Sequence, residues 1–122
     1  MTFANDYAPW ILMFGFAVMG IGSFVKPELV TAQFGIPTLS LAGRNEVRAV
    51  YGGFGILMSC ALYVALVTAT LRSGIYLTVA LALGGMAAGR AISWLIDRKI
   101  DKWPLFYLLL ETVCAALIAM AV

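Results

Sequence analysis

Apolar residues run in four long blocks along the chain, and the charged residues gather mainly between the blocks. A membrane-spanning helix needs about 20 consecutive apolar residues, which is close to the length of each block. The pattern therefore predicts an all-α protein with one domain over residues 1–122, built as an integral membrane bundle of four transmembrane helices with up-down topology. The predicted spans are residues 8–25, 44–69, 73–96 and 103–122.

The first connection is the longest and contains a shorter helical pattern of its own. Pro27 is suited to a first helical turn, Gly35 to a helix end, and Pro37 prevents the helix from continuing. We expect a short interfacial helix here, between the first and second spans. Both a lid on the membrane surface and a plain connector are compatible with this pattern. In the first span, we expect Pro9 to occupy the first helical turn.

Composition agrees with a membrane protein and excludes some partners. The chain is 63% hydrophobic and only 11% charged, whereas soluble domains carry roughly 25% charged residues. The net charge of +2 is small, and the basic residues are scattered or lie at predicted helix ends. Nucleic acid is therefore excluded as an expected partner.

The basic residues predict an orientation. They concentrate in the first and third connections, whereas Arg72 alone lies at the opposite surface. The positive-inside rule then places those two connections in the cytoplasm and both termini outside it. No Lys or Arg precedes Lys26, so we expect the first span to remain as a helix rather than act as a cleaved signal. A multi-pass protein of the bacterial inner (cytoplasmic) membrane is the simplest interpretation.

Charged residues inside the apolar blocks define a candidate site. Arg48, Arg90 and Glu111 lie about 6–10 Å inside three predicted spans, in the cytoplasmic half. Because a charge at such depth is costly unless it is paired or hydrated, we expect these side chains and Glu46 to face the bundle interior. Arg48 with Glu111 and Arg90 with Glu46 would balance the charges, but other pairings stay open. The candidate ligand-binding or ion-network residues are Asn45, Glu46, Arg48, Tyr51, Arg90, Trp94, Tyr107 and Glu111.

Small residues in the second and third spans are candidates for close helix packing. Glycines let two helix backbones approach each other in a membrane. In the second span these are Gly52, Gly53 and Gly55, and in the third they are Gly85 and Gly89. The polar cluster beside them is compatible with two interpretations. It is either a buried ion network that fixes helix register, or a site that binds an amphipathic molecule or relays protons.

The sequence does not favour an enzyme. It contains no His, no Gly-x-Ser-x-Gly elbow and no phosphate loop. The predicted depths of Cys60 and Cys114 differ by roughly 9 Å, which is a poor match to disulfide geometry. We interpret both as small core residues, and without His we expect no metal or other cofactor.

A family resemblance rests on the polar residues. The run from Asn45 to Gly53, Asn-Glu-Val-Arg-Ala-Val-Tyr-Gly-Gly, together with Gly89-Arg90 and Glu111, resembles a family of bacterial four-helix inner-membrane proteins with a domain of unknown function, related to DoxX-like proteins. The resemblance implies a four-helix membrane bundle with Glu46, Arg48, Arg90 and Glu111 at the family's polar positions, and it implies no activity. DoxX-like proteins usually carry an arginine early in the first helix, which this chain lacks, so a redox or quinone-linked role is not expected.

The function expected from the sequence is non-enzymatic. The protein would bind a small amphipathic ligand or membrane lipid at the cytoplasmic-side polar cluster, or support a membrane complex as a homo-oligomer or with a partner membrane protein. The alternative is a small proton-coupled transporter acting as a dimer. Small multidrug exporters have a similar size but rely on a glutamate in the first helix, and here no charge lies between Asp6 and Lys26.

Overall fold

The computed structural model describes residues 2–122, and those residues form helices without strands. The helices are α1 (Phe3–Val25), α2 (Pro27–Ala32), α3 (Leu41–Val67), α4 (Ala69–Asp97) and α5 (Lys102–Met120). Four of them, α1, α3, α4 and α5, are long and apolar enough to cross a membrane. The prediction of four such helices, with a short helix after the first, is confirmed.

Three helices begin more than one residue earlier than predicted. Helix α3 begins at Leu41 rather than at residue 44. Helix α1 begins at Phe3, so Pro9 lies inside it rather than in its first turn. The Thr2 hydroxyl accepts a hydrogen bond from the Asn5 amide at 3.2 Å, which satisfies one of the free N–H groups of the new first turn. Helix α4 begins at Ala69 rather than at residue 73, and Thr68 is the single extended residue between α3 and α4.

The chain divides into two compact units. The first unit consists of the chain up to Pro9 together with Val64–Val122. Within it, α4 and α5 pack against each other, joined by the four residues from Arg98 to Asp101. A connection this short makes neighbouring helices run antiparallel. The buried residues of α4 recur at helical spacing and so define one covered face: Tyr76, Val79, Leu83 and Ala87.

The second unit, Trp10–Tyr63, is organised by a close approach of α1 to α3. A Cβ atom added at Gly20 would lie 2.7 Å from the Ile56 backbone nitrogen, and one added at Gly55 would lie 2.8 Å from the Phe16 carbonyl oxygen. The two backbones therefore approach too closely for any side chain at these positions. The Ser59 hydroxyl adds a hydrogen bond of 3.0 Å to the Met13 carbonyl across the same contact.

The predicted packing glycines divide into two groups. Gly52 and Gly55 each pack closely against α1. A Cβ at Gly52 would lie 2.7 Å from the Phe24 ring, and Gly55 makes the backbone contact described above. Gly53 would make only an ordinary contact at 3.8 Å. The prediction for Gly85 and Gly89 is wrong, since an added Cβ would meet nothing within 4 Å at either position. Their spacing is typical of helix packing, but no other residue in the described chain approaches either glycine.

Helix α2 ends in a Schellman motif. Gly35 has a φ of 82°, a left-handed conformation that favours glycine. The Ile36 amide donates to the Thr31 carbonyl at 3.0 Å and the Gly35 amide donates to the Ala32 carbonyl at 3.2 Å. The predicted helix end at Gly35 is thereby explained, although regular helix stops at Ala32. Ser40 then caps the start of α3 by accepting a 3.0 Å hydrogen bond from the Gly43 amide.

Helix α3 contains a wider turn that the sequence pattern did not predict. Residues Arg48–Gly53 form a π-helix between the α-helical parts Leu41–Val47 and Phe54–Val67. Such turns are rare, and they occur often at functional sites. The wide turn coincides with Gly52, where the Phe24 ring packs against the α3 backbone.

Arg72 stabilises the end of α3. Its Nε donates to the Ala65 carbonyl at 2.8 Å and its Nη2 donates to the Leu66 carbonyl at 2.9 Å. Both carbonyls belong to the last turn of α3, where the helix itself supplies no donors. The sequence placed Arg72 in a connection, whereas the structure shows it in the first turns of α4, bonded back to the preceding helix.

We expect Gly20→Ala and Gly55→Ala to lower the free energy of unfolding by about 1–3 kcal/mol, because each new methyl group would collide with backbone. Gly85→Ala is the matched control. It adds a methyl group in open space and should change stability by no more than about 1 kcal/mol, towards higher stability. Denaturant titration of the protein in detergent micelles measures all three. Equal effects at positions 20 and 85 would contradict the close approach of α1 and α3.

We expect Arg72→Met to cost about 1–3 kcal/mol of stability, because two carbonyls of α3 lose their donors while an unbranched apolar side chain is kept. Arg98→Gln removes the same charge from an exposed position and should stay within about 0.5 kcal/mol of the wild type. The same titration compares the two variants. A loss that is no larger at position 72 than at position 98 would show that the capping bonds contribute nothing.

Candidate functional site

An ion pair joins α4 to α5 in the first unit. Arg90 Nε lies 2.7 Å from Glu111 Oε1, and Arg90 Nη2 lies 3.3 Å from Glu111 Oε2. Each residue is about two helical turns from the connection between the helices, so the antiparallel arrangement brings them to the same level. The Glu111 side chain is only 7% exposed, whereas that of Arg90 is 24% exposed. The carboxylate is thus enclosed and the guanidinium keeps an accessible edge.

Aromatic rings lie on the α5 side of this pair. The guanidinium carbon of Arg90 is 5.5 Å from the centre of the Tyr107 ring, within the range of a cation–π contact. Tyr107 is one turn before Glu111, and Trp103 is one turn before Tyr107, so the three residues share a helix face. The Trp103 and Tyr107 ring centres are 6.4 Å apart, and Phe106 makes edge contacts at 5.8 Å and 5.2 Å with these two rings.

This geometry defines what the site can do. Two parallel hydrogen bonds hold the Arg90 guanidinium in a fixed plane, and the charges of the pair cancel. An arginine oriented in this way suits recognition of a planar or tetrahedral anionic group, and the aromatic rings beside it suit an apolar chain. Both carboxylate oxygens of Glu111 are engaged by Arg90, which leaves the carboxylate poorly placed to act as a free base.

The second unit holds the other predicted charges. Arg48 Nε donates to the Phe24 carbonyl at 3.1 Å, beside the end of α1. The suggested pairing of Arg48 with Glu111 is therefore wrong, because Arg90 is the arginine that binds Glu111. Glu46 and Asn45 are exposed, and the interior position predicted for Glu46 is also wrong. Tyr51 is half-buried in the π-helical turn.

Trp94 and the two cysteines are exposed or half-buried. Trp94 is one turn after Arg90 on α4 and is 42% exposed. Both cysteines are free, and Cys60 is exposed rather than part of the core as predicted, whereas Cys114 is half-buried. Within residues 2–122, no three His, Cys, Asp or Glu side chains are close enough to hold a metal ion.

Sequence reasoning missed the backbone carbonyls as partners for arginine. Arg48 binds the end of α1 and Arg72 binds the end of α3, and neither contact involves a carboxylate. A signal was present for Arg72, which directly follows the predicted end of the second span, where carbonyls lack donors. No such signal marked Arg48, which lies within that span. Phe106 was also missed, although its spacing of three residues from Trp103 predicts that the two share a helix side.

Comparison with known proteins gives one match. A family model with the description "Domain of unknown function (DUF4345)" matches residues 7–122. No curated protein and no solved structure matches the chain.

We expect Glu111→Gln to lower the free energy of unfolding by about 2–3 kcal/mol, because it leaves the partly buried Arg90 without its counter-charge. The double variant Arg90→Leu/Glu111→Leu should be less destabilised than Glu111→Gln, since it removes both charges and fills the space with apolar groups. Denaturant titration in micelles measures both variants. A double variant that loses as much as the single variant would show that the ion pair contributes more than its desolvation costs.

Proposed function

The chain belongs to the DUF4345 family, and we propose that it is a multi-pass membrane protein that binds an amphipathic molecule without catalysing a reaction. The ligand would place its polar head at Arg90 and its apolar part against the lipid-facing side of α4 and α5. A small amphipathic metabolite and a membrane lipid share this chemistry. The protein would act by holding that molecule within the bilayer or by presenting it to a partner membrane protein.

The distribution of apolar side chains supports the membrane location. Large apolar residues are exposed along all four long helices, including Phe14 (73%), Leu41 (79%) and Leu95 (78%). Continuous apolar exposure of this kind is unfavourable in water and suits contact with lipid or with another membrane protein. The basic connections further support the bacterial inner membrane, with both termini outside the cytoplasm.

One observation carries the binding site: the Arg90–Glu111 pair lies between two apolar helices and is unequally exposed. If the ion pair served only to stabilise the fold, its replacement with apolar residues would cost the protein little stability. In this pair Glu111 orients the guanidinium from the enclosed side, while the 24% exposed Arg90 faces outward. The arrangement suits an arginine that meets a polar head at the edge of an apolar surface.

The same geometry favours binding over proton-coupled transport. A transport carboxylate must exchange its proton with both sides of the membrane during each cycle. Glu111 would first have to leave both of its hydrogen bonds with Arg90. Glu46 is not part of the ion pair, and its side chain is exposed on the surface of the protein.

Native mass spectrometry of the protein in mild detergent tests the proposal. We expect the wild type to retain a discrete small-molecule adduct that survives purification. Arg90→Gln should lose it, because the polar head loses its charged donor. The swapped variant Arg90→Glu/Glu111→Arg should also lose it, although that variant keeps an ion pair at the same place.

The swapped variant separates binding from folding. Circular dichroism should show unchanged helix content in this variant, and Thr112→Val, one residue from Glu111 on an exposed side of α5, should keep both the helix content and the adduct. A wild type without any adduct, or a swapped variant that retains every adduct of the wild type, would contradict a ligand site at Arg90. The pair would then serve the packing of α4 and α5.

A further inference from the structure

Three basic residues lie at the end of α1 or in the first turns of α3 in the second unit. Arg44 and Arg48 are one helical turn apart on α3, and Lys26 follows the end of α1. We propose that these three residues form a binding site for the phosphate group of an anionic phospholipid. This site is separate from Arg90 and depends on the proposed function only through the membrane location.

Backbone contacts hold both arginines in place. Arg48 Nε donates to the Phe24 carbonyl at 3.1 Å, two residues before Lys26. Arg44 Nη1 donates to the Leu39 carbonyl at 3.1 Å. Each contact uses one of the five N–H groups of a guanidinium. Further donors of both side chains remain for a phosphate, which arginine binds through paired hydrogen bonds.

The charges of the unit are unbalanced at this point. Two like charges one turn apart on a helix repel each other. Within Trp10–Tyr63, neither Glu28 nor Glu46 forms an ion pair with Arg44 or Arg48. Glu46 is two positions from each arginine, about 200° around the helix, and so lies on the opposite side. A bound anion would supply the missing negative charge and relieve the repulsion.

The surroundings select a membrane lipid rather than free phosphate. Val25 is 76% exposed, Leu29 is 60% exposed and Leu41 is 79% exposed. These residues border the basic side chains in the sequence, before Lys26, within α2 and at the start of α3. Apolar side chains next to basic ones are typical of segments that lie at the level of the lipid head groups. The head group would contact the arginines while its acyl chains contact the apolar residues.

The experiment measures lipid preference by native mass spectrometry of the full chain in mild detergent. Phosphatidylglycerol and phosphatidylethanolamine of equal chain length are added together. We expect the wild type to retain phosphatidylglycerol preferentially. Arg44→Gln/Arg48→Gln should lower that preference about tenfold or more, because it removes two of the charges that attract the anionic head group. Lys26→Gln/Arg44→Gln should lower it similarly while keeping the Arg48 contact with α1.

The matched control is Lys99→Gln/Lys102→Gln, which removes one charge from the connection between α4 and α5 and one from the first residue of α5, and should keep the wild-type preference. Equal loss in this control would overturn the site, because net charge alone would then explain the binding. Displacement of the lipid by excess soluble glycerol phosphate would overturn the assignment to a membrane lipid. An unchanged preference in both test variants would overturn the proposal, whereas the adduct at Arg90 would be unaffected by any of these results.

Discussion

The carbonyl groups at the ends of the apolar helices have no donors within their own helix, and arginine side chains supply donors for two of these ends. Arg48 binds the Phe24 carbonyl near the end of α1, and Arg72 binds the Ala65 and Leu66 carbonyls near the end of α3. A carbonyl without a protein donor is more costly next to an apolar phase than in water, because no water molecule is there to donate a hydrogen bond to it. Two of the few charged side chains of the chain therefore donate hydrogen bonds to backbone carbonyls at helix ends.

A third arginine, Arg90, donates to a carboxylate side chain, whereas the first two donate to backbone carbonyls. Arg90 engages both oxygens of Glu111, and its guanidinium lies over the Tyr107 ring. The pair therefore links α4 to α5 within one hairpin. The distinction matters for function, because Arg90 is oriented by a carboxylate beside an apolar surface, whereas Arg48 and Arg72 are oriented by helix ends. Arg48, in contrast, holds the end of α1 and meets any ligand with its remaining donors only.

The number and type of the long helices could be predicted from the sequence, because a long apolar block can satisfy its backbone in lipid only as a helix. Helix starts were less predictable. Pro9 is compatible with the first turn or with a position further inside α1, and the capping hydroxyl of Thr2 decides between them. Charge partners were the least predictable. The spacing of polar residues shows which face of a helix they share, but the contact of Arg90 with Glu111 depends on how α4 and α5 are rotated about their axes.

The glycines show the same limit. Gly52 and Gly55 lie against α1, whereas Gly85 and Gly89 lie against nothing, although both pairs have the spacing of a packing face. Spacing indicates which surface is smooth, and only the tertiary structure shows whether another helix covers it. The π-helical turn at Arg48–Gly53 was equally hidden, because its residues are compatible with an ordinary α-helix.

Thr68 is the single residue between α3 and α4, so this connection is too short to accommodate a change in chain length. Arg72 in α4 reaches back to Ala65 and Leu66, so the last turn of α3 and the first turn of α4 are held together across the connection. One residue inserted between Ala69 and Arg72, in the first turn of α4, would turn the Arg72 side chain by about 100° around the helix axis and withdraw the guanidinium from both carbonyls. Homologous chains should therefore keep a constant length around Thr68.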